Sequence, residues 1–184
     1  MGKWSTRTAL GGNTMARYNK KATYKEWKFN NTEECDFFIR FVENSGKRFE
    51  VCKEFELFPK FPTGGYEMKR ITYTPTVIVY DTDGHIEHVY DVRGGFNQQA
   101  VDMASRIRFE LFAWQEKAPV EVVIPGENDF KTKLYDFISP RIQSPHARYD
   151  RHGNMKCKSN GEPLYDFYDV HKTINYDISD TIGR

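Results

Sequence analysis

KRITYTPTVIVYDTDGHIEHVYDVR, residues 69–93, decides the fold. Two runs rich in β-branched and aromatic residues, 69–80 and 85–93, flank Asp81-Thr82-Asp83-Gly84. Asp-Gly between alternating apolar runs signals a hairpin, because glycine accepts the positive φ that a tight turn demands. The spacing predicts two strands paired side by side. Along the second strand a period of two sets Glu87, Val89, Asp91 and Arg93 on one face and His88, Tyr90 and Val92 on the other. Asp91 and Arg93 are therefore neighbours, just before Gly94-Gly95 at the mouth of a helix, where a phosphate can approach the backbone closely. The same spacing also describes an ordinary ion pair at a strand end.

Outward from this hairpin, Asn31-x-x-Glu34 reads as a capping box ahead of Phe37, Phe38, Phe41 and Val42, which share one helical face. A helix over 32–45 is expected, ended by Ser45-Gly46. Residues 49–57, FEVCKEFEL, are strand formers, and Pro59, Pro62 and Gly64-Gly65 then break the chain. After Gly94-Gly95, a stripe of Val101, Ala104, Ile107, Leu111 and Phe112 predicts a second helix over 97–115. A strand at 120–124 stops at Pro125-Gly126, and 128–138 is expected to form a last helix. The order predicts an α/β fold, a mixed sheet flanked by helices. Three parts are expected: a basic arm over 1–28, an α/β domain over 29–138 and a C-terminal docking tail over 139–184.

A chain of 184 residues leaves room for one domain with extensions. Its 27 Lys and Arg against 26 Asp and Glu exclude a polybasic or a strongly acidic whole-chain role, so any electrostatic specialisation is regional. Lys3, Arg7, Arg17, Lys20, Lys21, Lys25 and Lys28 face a single acid, Glu26, within the first 28 residues, a density suited to phosphate contacts or to a solvated tail. Residues 141–158 carry five cations and one acid, whereas 159–183 carry five acids and one cation. That reversal suggests docking to a protein partner or larger assembly. No run approaches the roughly 18 apolar residues of a membrane helix, and no apolar leader opens the sequence, so a non-exported protein without a membrane role is expected. Cys35, Cys52 and Cys157 lack C-x-x-C spacing and read as reduced thiols. His85, His88, His146, His152 and His171 form no H-E-x-x-H pair, and the phosphate-loop and dinucleotide glycine patterns are missing.

The ordered series FELFPKF (55–61), ITYTPTVIVYD (71–81) and YDVRGGFNQ (90–98) resembles a small phage and prophage family of the PD-(D/E)XK nuclease superfamily. That family reads approximately F-x-L-Q-P-x-F, I-T-Y-x-P-D-F and D-V-K-G, with an acid on the preceding helix, and the resemblance spans roughly residues 18–115. It implies a PD-(D/E)XK nuclease-like sheet. It also implies a site in which two acids hold Mg²⁺ or Mn²⁺ and a lysine handles the attacking water. Carried over by position, Asp91 is the second acid and Glu34 the helix acid, both implied metal ligands. Arg93 stands where the lysine would be and Thr76 where the PD aspartate would be; Phe58 replaces the glutamine and Val77 the phenylalanine.

Those departures change the chemistry. Thr76 offers a neutral hydroxyl in place of a carboxylate. Arg93 keeps a positive charge but, with a pKa above about 12, cannot act as a tunable amine, although its fork can clamp a phosphate. Weak or absent metal-dependent cleavage is expected, and with it a nuclease-like scaffold for DNA processing or a phage assembly, in the cytoplasm of a bacterial host or in a virion. An active DNA endonuclease or Holliday-junction resolvase is the alternative. DNA contacts are expected from the basic arm and Arg93. Glu34 retains two readings, metal ligand and N3 member of the capping box.

Overall fold

A computed structural model of the chain describes residues 21–135 and 143–172. Lys3, Arg7, Arg17 and Lys20 of the expected arm lie outside the described residues, as do both ends of the expected tail. Folding starts earlier than Asn31: β1 (Ala22–Tyr24) and β2 (Trp27–Phe29) form a hairpin turned at Lys25, whose φ is 52°. Residues 22–29 form strands because Tyr24, Trp27 and Phe29 have an aromatic surface to join. Trp27 meets Phe38 edge-on at 5.1 Å between ring centroids.

Helix α1 (Thr32–Phe41) begins as the capping pattern predicts, with the Asn31 side chain accepting from the Glu34 amide at 2.8 Å. It ends at Val42, short of the expected 45. The next strand formers divide into β3 (Arg48–Val51) and β4 (Phe55–Phe58), because Cys52 sits at φ 50° and turns the chain out of line. β5 (Phe61–Thr63) and β6 (Tyr66–Met68) make an exposed hairpin around Gly64-Gly65. Residues 69–80 also divide, into β7 (Ile71–Tyr73) and β8 (Val77–Tyr80). Pro75 between them lacks an amide and disfavours continued ladder pairing. β7 consequently pairs with β4, while β8 pairs with β3 and with β9 (Ile86–Val92).

The β8–β9 hairpin is antiparallel, as Asp83-Gly84 signals, with Gly84 at φ 89°. Helix α2 (Met103–Glu116) starts at the Asp102 cap, later than the expected 97; Asn97 instead closes a turn by accepting from the Ala100 amide. The helix carries the chain across to β10 (Glu121–Pro125), which lies parallel to β9, as a crossover permits and a hairpin does not. The helix expected at 128–138 is corrected to a strand, β11 (Asp129–Leu134), antiparallel to β10. Phe130 and Leu134 are four apart, which suits either element, but Thr132 is buried with them and marks a period of two.

Beyond position 138 the sheet continues. β12 (Pro145–Ala147) and β13 (Tyr165–Phe167) pair with each other, and β14 (Asp169–Lys172) joins β11. The central sheet therefore runs β14-β11-β10-β9-β8-β3, and the described part of the expected tail supplies one of its strands. Residues 143–172 fold back because buried Gln143 binds β11 through the Leu134 amide and the Thr132 carbonyl.

Helix α1 covers one face, burying Phe37, Phe38 and Phe41 against Val77, Val79, Tyr90, Val92 and Phe130. Helix α2 covers part of the other, burying Phe109 and Phe112 with Ile78, Val89 and Val122. Both faces are apolar, and adjacent residues of β8 enter opposite cores. Each buried Phe contributes roughly 1.5–3 kcal/mol relative to exposure. Among the described residues no helix is long and apolar enough to cross a membrane.

Candidate functional site

Val77 opposes Tyr90 across the hairpin, so continuing that register by one residue places Thr76 opposite Asp91 on the α2 side of the sheet. Asp91 is 4% exposed, which makes an uncompensated charge there costly. Three bonds compensate it. The Tyr73 hydroxyl donates to Asp91 Oδ2 at 2.7 Å, Arg93 Nε donates to Oδ1 at 2.5 Å, and Arg93 Nη2 donates to Oδ2 at 3.2 Å. Period two brought Asp91 and Arg93 together, as the sequence implied. Tyr73 was not anticipated, because it reaches Asp91 only after Pro75 has sent β7 away from β8.

These contacts determine protonation. Burial pushes the Tyr73 phenol well above its ordinary range, and the Asp91 charge adds to this. Burial works against the charge on Arg93, yet Asp91 outweighs it and holds the guanidinium charged. Asp91 and Arg93 thus form a neutral pair, and the tyrosine is a proton donor rather than a base.

Thr76 is also buried, and its Oγ1 accepts the Val92 amide at 3.1 Å. Its hydroxyl oxygen stabilises the backbone at the end of β9. The Thr76 carbonyl accepts from the Cys52 amide at 3.1 Å, bringing the break between β3 and β4 into the same neighbourhood. Burial pushes the Cys52 thiol up to about 11, with Glu34 contributing, so it is protonated at neutral pH and a poor metal ligand.

Glu34 completes the group from the first turn of α1. Its Oε2 accepts from the Asn30 amide at 2.9 Å, and Asn31 Nδ2 donates to Oε1 at 3.1 Å. This is a capping box displaced by one residue, with the glutamate reaching back to the residue before the cap. Burial raises the Glu34 pKa most, the Asn30 bonds lower it, and the Asp91 charge raises it further. The two acids therefore feel each other, but each oxygen of Glu34 has a partner in Asn30 or Asn31.

The sign of the Glu34 shift yields a prediction. Folding tightens proton binding, so the stability Glu34 contributes is full below the ordinary glutamate range, near pH 4, and falls as pH rises through its folded value. Glu34→Gln keeps an oxygen for the Asn30 amide. Urea denaturation of both proteins should show wild type losing ground to the variant as pH rises from about 4. A stability difference independent of pH would count against this burial.

The basic residues named from the sequence are placed separately. Lys25 pairs with Glu43 at the first hairpin, and its ammonium lies 5.3 Å from the Tyr24 ring centroid, so it serves the fold. Lys21 and Lys28 are exposed. Glu87, on the Asp91 strand, pairs with Lys47 at 2.9 Å. Asp81, Asp83 and His85 offer ligand atoms within 4.8 Å of one another, but they sit at the hairpin turn. Six residues of strand, about 20 Å, separate His85 from Asp91. Asp81 Oδ1 is used there by the Asp83 and His85 amides at 2.9 and 2.8 Å. Neither aspartate reaches the Thr76–Asp91 neighbourhood.

Comparison with known proteins gives one family, described as a protein of unknown function (DUF1064), whose match covers residues 15–117 and so runs from before β1 to the end of α2. No curated protein matches the chain, and no solved structure does.

Proposed function

Since the chain belongs to the DUF1064 family, whose function is unknown, we propose from the site itself that it is a nuclease-like protein of the PD-(D/E)XK kind that acts without cleaving DNA. It serves as a DNA-associated scaffold in DNA processing or in a phage assembly, in a bacterial host or a virion. One observation carries this reading: both Asp91 oxygens are engaged by Arg93 and Tyr73. A Mg²⁺ ion is held by carboxylate oxygens, waters and phosphates. To use Asp91 it must displace a guanidinium that already neutralises the carboxylate, with only a hydroxyl at Thr76 to assist. With Nε and Nη2 committed to Asp91, Arg93 cannot handle an attacking water as a lysine would, which favours a role other than hydrolysis.

The alternative, a Mg²⁺- or Mn²⁺-dependent DNA endonuclease or junction resolvase, has one observation in its favour: Glu34 and Asp91 are close enough for their charges to interact. Incubation with duplex and four-way-junction DNA in Mg²⁺ and in Mn²⁺, with binding followed in parallel, separates the two. The expected result is binding without metal-dependent cleavage. Cleavage that Asp91→Asn abolishes while leaving the protein folded establishes the enzyme instead.

A further inference from the structure

The sheet face that carries Asp91 continues onto β10 and β11. Phe130 packs toward α1, so the alternation of β11 sends Lys131, Lys133 and Tyr135 to the opposite face. Lys133 opposes Val122, and Val122 opposes Asp91, which puts Lys133 in the Asp91 row two strands away. At 4.7–4.9 Å per strand this is about 10 Å of backbone separation. Helix α2 packs toward β4 and β7, and its first turn reaches the end of β11 through Arg106 and Tyr135.

The loop after β9, the first turn of α2 and the end of β11 enclose a cavity of about 250 Å³ lined by Phe96, Gln98, Val101, Met103, Arg106 and Tyr135. The Tyr135 hydroxyl donates to the Phe96 carbonyl at 2.7 Å, which ties two of its walls together. Lys133 Nζ lies 5.2 Å from the Tyr135 ring centroid and 5.6 Å from that of Phe96. The Arg106 guanidinium stands 5.9 Å from the Tyr135 centroid. Asp166 is the acid nearby, and it pairs with Arg148 at 3.5 Å. Burial lowers the Lys133 pKa, Asp166 opposes this, and Arg148 and Arg106 add to it, so among the described residues Lys133 feels two further cations and one carboxylate. Such a grouping favours an anion. The cavity beneath it offers aromatic walls, a thioether and one carboxamide able both to donate and to accept.

We propose that this cavity holds one unpaired nucleobase of a single-stranded nucleic acid, with the flanking phosphates on Arg106, Lys133 and Arg148. Phe96 and Tyr135 supply apolar ring surface, and Gln98 presents its amide to the base edge. The inference goes beyond the scaffold reading and does not require it, because Lys133, Tyr135 and Arg148 lie past residue 117, where the family match ends. A base enters only when unpaired, so the site distinguishes single strands from duplex.

The test is fluorescence anisotropy with the full chain, a labelled oligothymidylate, a duplex of equal length, and thymidine monophosphate as competitor. Single strand should bind more tightly than duplex. Met103 is 59% exposed, so Met103→Trp fills the cavity mouth without disturbing the core, and it should weaken single-strand binding about tenfold with the salt slope unchanged. Lys133→Gln should weaken binding and reduce the slope of log K against log salt by roughly 0.7, one phosphate contact on a single strand. Contacts from residues 1–20 are common to all variants and cancel in these ratios. Met103 and Lys133 take no part in the Asp91–Arg93 group, so loss of the scaffold reading leaves this result standing. Equal affinity for duplex, or wild-type binding by Met103→Trp, overturns the proposal. Thymidine monophosphate competing as strongly as the oligomer assigns the cavity to a free nucleotide and overturns the strand.

Discussion

Asp91→Ala should destabilise the fold by about 3 kcal/mol, near the lower end of the 3–5 kcal/mol that follows loss of one partner from a buried ion pair. The loss has two parts. The Tyr73 hydroxyl, within a residue 5% exposed and walled by Phe109 and Phe112, is left without its acceptor. Arg93 loses its Asp91 partner, but about a third of its side chain is accessible, so water recovers some of the cost. Asp91→Asn keeps one oxygen for Tyr73 or Arg93 and should lose less. Urea denaturation read by circular dichroism and by tryptophan fluorescence checks both. An alanine variant as stable as wild type would show that the pair is solvated and that Asp91 is available to a cation.

The second large effect is a gain. Thr76→Asp with Arg93→Lys installs a carboxylate opposite Asp91 and replaces the fixed fork by a mobile ammonium, recreating the ligand set that the resemblance implies. Without metal this variant should be less stable than wild type, since two carboxylates sharing a buried site cannot both ionise freely and Glu34 adds a third charge nearby. Mg²⁺ or Mn²⁺ should relieve that repulsion. Binding to the folded state alone raises stability by about 2.7 kcal/mol when the free metal is 100 times its Kd. Thermal denaturation with and without metal should therefore separate the double variant sharply from wild type, and adding Asp91→Asn should remove the response. Metal-dependent cleavage is then assayed in the variant that shows the shift. A folded double variant with no metal response means that Glu34, held by Asn30 and Asn31, no longer swings toward the site, and the scaffold reading stands.

The sequence by itself determined what depends on local periodicity and turn chemistry. Asp83-Gly84 between alternating runs specified the hairpin, and the period of two along its second strand set Asp91 beside Arg93. Asn31 and Glu34 specified the start of α1, because a cap is completed within four residues. Tertiary structure decided what depends on distant partners. Cys52 and Pro75 each cut one strand-forming run into two pieces, and which piece joins the central sheet depends on pairings across the molecule. Phe130 and Leu134 suited a helix as well as a strand until β10 and β14 supplied edges on both sides. Tyr73 is separated from Asp91 by 18 residues and by a change of sheet. The bond that makes Asp91 a buried structural acid is thus invisible along the chain, since neither partner's spacing records a contact made only when β7 leaves β8 and packs beneath α2.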